Sequence, residues 1–474
     1  MSIVAQRAIS DKSLQRGQYC QQQYLLLHDA IHSAIIPHVS SVFNQALSDE
    51  VTGMLGREKG KHRGSVQAAD SPLCCPVCGR HATLDYVRKG YYERALLTQW
   101  GVAPLAVPRV RCVCGHSPTI PFSVLPAYDR LWSDIAGMGI EFVALSLSLR
   151  STIAVLERTS GQAISIGTVQ RRVQRTVRLT VDALQRKLLI SPPVILLDAL
   201  WGTLMVETGE KKRDKRGRLR KVKRGQKIPV LVALGMDPHT GATTVLAWVQ
   251  GTAEGIEDWT QLLTALYERG AHWQSGLRLF VHDGSAALET ALGIVEFGPV
   301  RRQRCVFHKL RNVGRAVIGS ESMSRTERKE RITAVLADAC AVYQSPNAAE
   351  AQVRAATFRT TWGDREPKAV ATLERDFEKT LTCYAVQEEA TEAGQTWFLP
   401  YLRTTSALER LNRDLRRKWR QAGAFGSKDG QMGAFGLVIK RRQRSRDVES
   451  VDWLDSVIAG LLTPADVKTN LPIP

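Results

Sequence analysis

Acidic residues are in short supply: 46 Asp and Glu stand against 65 Lys and Arg, a net charge of +19 over 474 residues. That imbalance excludes a chain built to meet cationic partners and points to a polyanion, most simply nucleic acid. Long hydrophobic runs are missing too. No stretch approaches the roughly 20 apolar residues that span a bilayer, and no basic amphipathic helix with an aromatic face suits an acidic membrane surface. The most apolar stretch near the start, Tyr24 to Ile36, is interrupted by His28, Asp29 and His32, so no secretory leader is expected. Cysteines number nine, and without a leader an odd count fits thiols in a reducing cytoplasm rather than a disulfide framework. What remains is a chain with a 44% hydrophobic fraction, enough for real cores, and a length that suits two to four domains.

Four of the nine cysteines fall into two pairs, each followed by glycine. CCPVCGR spaces Cys75 and Cys78 as C-x2-C before Gly79, and VRCVCGH places Cys112 and Cys114 as C-x-C before Gly115. Such turns aim two thiolates at one ion, and two turns supply the four ligands of a structural Zn²⁺. Cys74 could stand in for Cys75, and His81 or His116 for a thiolate. Strands are expected around Ala82–Arg88, Glu93–Thr98 and Leu105–Arg111, which makes the segment a zinc ribbon. Upstream, Gln21 to Leu55 reads as helix without evident chemistry, and Arg57 to Pro72 as a linker.

Trp132 to Arg178 reads as helical. A short helix at Ser151–Arg158, a turn at Ser160-Gly161 and a basic helix opening at Ser165 form a helix-turn-helix pattern. Its second helix carries Arg171, Arg172, Arg175 and Arg178, the residues expected to meet DNA. An ordinary helical pair with a solvated basic face fits the same pattern.

The stretch around which the chain is organised follows Pro192-Pro193. Val194 to Leu197 is a short apolar run, read as a buried strand. Asp198 follows it, with apolar residues resuming beyond. A buried carboxylate is costly unless it is paired or holds a metal. Lys211 to Lys227 then holds eleven Lys or Arg and a single acid, Asp214. This segment is expected to be a long, mobile hairpin loop whose basic residues, Lys211, Lys212 and Arg213 among them, meet phosphates. Strands at Ile228–Gly235 and Ala242–Val249, a helix at Gly255–Arg269, a strand at Leu277–Val281 ending in His282-Asp283-Gly284, a helix at Ala286–Val295 and a strand at Arg304–Phe307 follow. Three strands, helix, strand, helix, strand is the order of a ribonuclease-H-like core. The first and fourth strands are neighbours in that fold, so Asp198 and Asp283 are expected to converge on Mg²⁺ or Mn²⁺ for two-metal phosphoryl chemistry.

Ser320 to Thr396 reads as a charged helical insertion. On the next helix Leu408, Leu411, Leu415 and Trp419 form the buried stripe. Glu409 lies beside that stripe as an expected third metal ligand, with Arg413, Arg416 and Arg417 placed to hold DNA phosphates. The bland alternative is an i,i+4 pair between Glu409 and Arg413.

TTSALERLNRDLRRKWRQAGAFGS, Thr404 to Ser427, resembles the segment around the catalytic Glu of Mutator-type bacterial insertion-sequence transposases, including the aromatic-Gly element Phe425-Gly426. CVFHKLRNV, Cys305 to Val313, is similar to their C-x2-H signature and the basic helix after it, and VHDGSAAL, Val281 to Leu288, to their second-Asp segment. The likeness runs from Pro193 to about Ile439. It implies an Asp-Asp-Glu (DDE) transposase in which Asp198, Asp283 and Glu409 hold two Mg²⁺ or Mn²⁺, hydrolyse a phosphodiester at the element end, and join the freed 3′-OH to target DNA. It also implies a homo-oligomer in the DNA complex and a cytoplasmic, nucleoid-associated setting.

Cys305 and His308 make only half of a zinc site and are expected beside the catalytic centre, shaping the strand end near Asp283. The expected organisation is a helical region and linker (1–70), a zinc ribbon (71–125), a helix-turn-helix segment (126–190), an α/β ribonuclease-H-like core (191–319), a helical insertion (320–400) and the remainder of the core with its Glu helix (401–474). A non-transposing nuclease and a DNA-binding regulator are the rival readings.

Overall fold

The computed structural model describes residues 30–31, 33–60, 74–125, 130–318 and 323–444. Two compact units divide between Arg175 and Thr176, inside one helix. Among the described residues no helix is long and apolar enough to cross a membrane.

In the first unit, helix α1 (33–55) buries Phe43, Leu47, Val51 and Leu55. Spacing of four keeps these side chains on one face. That face lies against a hairpin of β1 (Tyr86–Thr98) and β2 (Gly101–Cys112), in register from Thr98↔Gly101 to Tyr86↔Cys112. Leu96, Ala103, Leu105, Val107 and Val110 complete the core. Asn44 Oδ1 takes the Ala106 amide at 2.8 Å. The N-terminal helix, for which the sequence offered no chemistry, therefore backs the cysteine hairpin. The strand expected over Ala82–Arg88 begins instead as a helical turn, α2 (Ala82–Asp85). Arg57 donates to the carbonyls of Thr83 and Tyr86, so those groups are satisfied by a side chain rather than by a ladder.

Three helices follow: α3 (Ser133–Ala144), α4 (Leu149–Ser160) and α5 (Ile166–Gln185). Ser148 caps α4 by accepting from the Ser151 amide, and Gly161 ends it in the left-handed conformation at φ 66°. Ser165 Oγ accepts from the Thr168 amide at 3.2 Å as α5 opens. On α5, Arg171, Arg175 and Arg178 are exposed, while Arg172 is only 7% exposed. The basic face is thus narrower than its sequence suggests, because helical geometry turns Arg172 inward with Val169, Val173 and Thr176.

In the second unit a five-stranded sheet has the order β5-β4-β3-β6-β7, with β3 (Val194–Arg213), β4 (Leu219–Met236), β5 (Thr243–Gln250), β6 (Leu279–His282) and β7 (Arg301–Arg304). β3 pairs antiparallel with β4 and parallel with β6. Alternation sorts β3 between two cores. Ile195 and Leu197 pack with α6 (Ile256–Glu268) and α7 (Ala286–Ile294). Leu196, Leu200 and Leu204 face the other side, with Leu408, Leu411, Leu415 and Trp419 of α14 (Ser406–Ala422). Asp198 shares that second series, so the pleat aims it at α14. Between β7 and α14 run α8 (Val306–Ala316), α9 (Arg325–Tyr343), α10 (Ala348–Trp362), α11 (Pro367–Glu374), a 3₁₀ turn at Glu378–Thr380, α12 (Thr382–Glu392) and α13 (Leu399–Arg403), and α15 (Lys428–Arg444) follows α14.

Two expectations are corrected here. The strand placed at Arg304–Phe307 lies at Arg301–Arg304, because its register partners on β6 are Leu279 to His282 and α8 already begins at Val306. The basic segment is not a loop. β3 and β4 stay paired out to Arg213↔Leu219, with one irregularity between Glu207 and Lys211. Asp214 closes the tip: its carboxylate accepts from the amides of Arg216 and Arg218 at 2.9 and 3.0 Å and from Arg220 Nε at 2.7 Å. The paired ribbon beyond Thr203↔Lys227 reaches roughly 30 Å at ~3.3 Å per residue.

Candidate active site

β3 delivers Asp198 two residues past its last pairing with β6, at Leu196↔Val281. Asp283 stands two residues past Val281 on the parallel neighbour, so backbone register places the two on adjoining strand ends. α14 brings the third acid. Its stripe packs on β3 so closely that Gly202 is required: a Cβ there would lie 2.0 Å from the Trp419 ring. Trp419 Nε1 also donates to the Thr203 carbonyl at 2.7 Å. Phe425 then runs beside β3, bridging Leu204, and its ring meets those of Trp419 and Phe435. The aromatic-Gly element thus fastens the end of α14 to the strand that carries Asp198.

The ligand atoms of Asp198, Glu409 and His308 all lie within 4.8 Å of one another. His308 Nε2 is 3.2 Å from Glu409 Oε1, and Arg416 Nη1 is 3.7 Å from Glu409 Oε2. Glu409 therefore meets Arg416, two turns on. Asn412 Nδ2 donates to Asp198 Oδ2 at 2.9 Å. Behind His308, Thr405 Oγ1 sits 3.5 Å from Nδ1 and 3.3 Å from Cys305 Sγ, and the Thr405 amide donates to the same sulfur. Cys305 and His308 were expected to shape the strand end near Asp283. In the fold they fasten α8 to the start of α14, and His308 enters the acidic cluster itself. Asp283 lies outside that cluster. Its carboxylate accepts from the Ser285 amide at 2.9 Å, because the chain turns at Gly284 (φ 86°) into α7.

The electrostatics couple the three side chains. Burial, then the charges of Glu409 and Asp283, push Asp198 up to about 7, against the opposing pull of His308. Burial works to depress His308 but is outweighed by Cys305, Glu409 and Asp198, which raise it to about 10. The hydrogen bond from His308 lowers Glu409, with Arg416 and Arg311 assisting. A protonated imidazole thus balances two carboxylates. The two carboxylate oxygens are donors that suit Mg²⁺ or Mn²⁺, and the imidazole could join them only on losing its proton. Asn412 Oδ1, fully buried beside them, has no hydrogen-bond partner among the described residues.

A raised acid destabilises the fold as pH climbs from its unfolded value near 4 towards 7, because the folded chain resists losing that proton. Asp198→Asn should therefore stabilise the metal-free protein at pH 8, by roughly 1–4 kcal/mol. The gain should shrink as pH falls towards 4. Unfolding midpoints in chelator across that range check this; a destabilised variant at pH 8 contradicts it.

Asn412 and Glu254 were not anticipated from sequence. Asn412 had a signal: it follows Glu409 by one turn, a polar residue inside an apolar stripe. Glu254 had none. It precedes α6 at φ 58°, accepts from Trp201 Nε1 at 2.7 Å, and is raised by burial and then by the charge of Asp283.

In the first unit Cys75, Cys78, Cys112 and Cys114 form a second cluster, their sulfurs within 4.8 Å of one another. Cys75 and Cys114 are 3.7 Å apart, and Cys78 and Cys112 3.6 Å. Gly79 and Gly115 both take left-handed φ, 68° and 96°, which lets their amides turn back to the carbonyls of Cys75 and Cys112. Burial opposes the Cys75 thiolate, yet the Cys78 and Val77 amides bring it down to about 6. Cys74 is exposed and instead bridges His81, so neither belongs to the four, and His116 also lies outside. Four sulfurs at this spacing suit Zn²⁺.

Comparison with known proteins covers both units. The family described as Transposase, Mutator family, matches residues 79–445. The chain is 28% identical over 356 residues to the transposase for insertion sequence element IS406 of Burkholderia multivorans, covering 75% of this chain and 81% of that protein. It is 25% identical over 403 residues to the transposase for IS1201 of Lactobacillus helveticus, covering 85% and 93%. The transposase for IS256 in transposon Tn4001 of Staphylococcus aureus is 25% identical over 355 residues, covering 74% and 80%.

Proposed function

We propose, for a chain that belongs to the Mutator family of transposases, that Asp198, Asp283 and Glu409 form the metal-binding centre of a DDE transposase. The observation that carries the reading is the meeting of Asp198 and Glu409, 211 positions apart, in one buried cluster, with Asp283 on the adjoining strand end. The strand order, with a parallel β3-β6-β7 half and an antiparallel β3-β4-β5 half, supports a ribonuclease-H-like core.

A divalent cation held there supplies Lewis acidity and lowers the pKa of a bound water or 3′-OH. The chain's own residues do the rest. Arg416 orients Glu409, and exposed Arg413 and Arg417 extend the same helix towards phosphates. The basic ribbon, with Lys211, Lys212 and Arg213 at its outer end, grips the duplex. Arg171 and Arg175 give α5 a DNA-facing edge. The cysteine cluster holds one structural Zn²⁺ in a zinc ribbon.

The test separates cutting from joining. Incubated with a labelled element-end duplex and a supercoiled plasmid in Mg²⁺, the protein should yield plasmid carrying covalently joined label. Cut label without joined product would favour a non-transposing nuclease; neither product would favour a DNA-binding regulator.

The zinc assignment makes its own prediction. Purified under reduction and without a tag, the full chain should carry one zinc, and Cys75→Ser or Cys112→Ser should lose it together with the order of the hairpin, since metal binding and folding are coupled. Elemental analysis that finds no zinc contradicts the assignment.

A further inference from the structure

We propose that Asn412 is a positioning residue of the catalytic centre: its Nδ2 fixes the rotamer of Asp198, and its free Oδ1 is placed to accept a hydrogen bond from a water bound to the cation that Asp198 would hold. The inference rests on the metal-centre reading of Asp198 given above.

Three observations lead there. Asn412 is fully buried on α14, one turn after Glu409, so the helix that supplies one acid also reaches the other. Its Nδ2 donates to Asp198 Oδ2 at 2.9 Å. The orientation of the amide follows for the ionised Asp198 that a bound cation would require, since a carboxylate can only accept. Its Oδ1, on the same carboxamide, has no hydrogen-bond partner among the described residues. A buried acceptor left unpaired is destabilising, and its neighbours along the stripe, Leu408, Leu411 and Leu415, are apolar. If Asn412 served packing alone, leucine would fill the position without that cost. A water on a cation held by Asp198 would pair the orphan oxygen, which gives a reason for asparagine at this position. Groups that orient a metal ligand from behind commonly set affinity for the ion by about 10–100-fold.

The experiment uses the full-length protein and Mn²⁺ alone, with free ion read by electron spin resonance, alongside the metal midpoint for DNA nicking. Asn412→Leu should keep the wild-type far-UV spectrum and DNA affinity while its Mn²⁺ dissociation constant and its nicking midpoint both rise about 10–100-fold, with nicking partly restored at high metal. Mn²⁺ affinity within about twofold of wild type would overturn the proposal. Asn412→Ala, which leaves room for water, should shift binding in the same direction and serves if the leucine variant does not fold. Failure of both to fold would assign Asn412 to packing and end the proposal. Asp198→Asn is the reference. If it leaves Mn²⁺ binding intact, the metal-centre reading itself fails. If it abolishes binding while Asn412→Leu does not shift it, only the present inference fails.

Discussion

Asp198→Asn, Asp283→Asn and Glu409→Gln should each lose nicking of element-end DNA in Mg²⁺ by about 10³-fold or more, with DNA affinity kept or raised. The substitutions nearly preserve shape, so the fold should survive. What each removes is a charge that a cation needs, and neither Arg nor Lys can supply the missing Lewis acid. Affinity should not fall, because the lost carboxylate lies where phosphates would approach. Nicking must be compared at matched binding saturation. Near-normal nicking by Asp283→Asn would be the most informative failure. Asp283 is tied to the Ser285 amide rather than to the Asp198 cluster, and Glu254, whose carboxyl its charge perturbs, would become the next candidate on that side.

Neutralising the ribbon should produce the second large effect, on binding. Changing Lys211, Lys212, Lys215, Arg216, Arg218 and Arg224 to Gln removes six charges but leaves Asp214 to hold the tip through the amides of residues 216 and 218. If each charge neutralises one phosphate, the slope of log affinity against log salt should flatten by about 5. Affinity at low salt should fall about tenfold or more. The discrimination between element-end and random DNA should survive, since we propose that Arg171 and Arg175 on α5 and the cysteine hairpin supply it. An unchanged slope would show the ribbon to be merely solvated.

Much of this was legible in the sequence because the signals are local. The apolar run before Asp198, the Gly-followed cysteine pairs and the Leu408–Trp419 stripe each announce an element and the face it buries. The ordered motifs around Asp283, Cys305 and Glu409 named the family. What escaped depends on long-range geometry. Spacing could not choose between Cys74 and Cys75; the fold does, by sending Cys74 to bridge His81. Dense positive charge between strands argued for a loop, but strand pairing carried out to Arg213↔Leu219 and the tip held by Asp214 make a paired ribbon of it. His308 looked like half of a metal site, and only the packing of α8 against α14 places its ring on Glu409. Arg172 counts as basic in a sequence and as buried in a helix.

The most direct measurement of the central claim is strand transfer by Glu409→Gln. Element-end duplex cut beforehand to expose its 3′-OH, so that joining alone is scored, is offered with supercoiled plasmid and Mg²⁺ to protein at saturating DNA occupancy. The account predicts efficient joining by the unaltered chain and joining reduced about 10³-fold or more in the variant, with equal DNA retained by both. Joining by Glu409→Gln at a rate near that of the unaltered chain would contradict it.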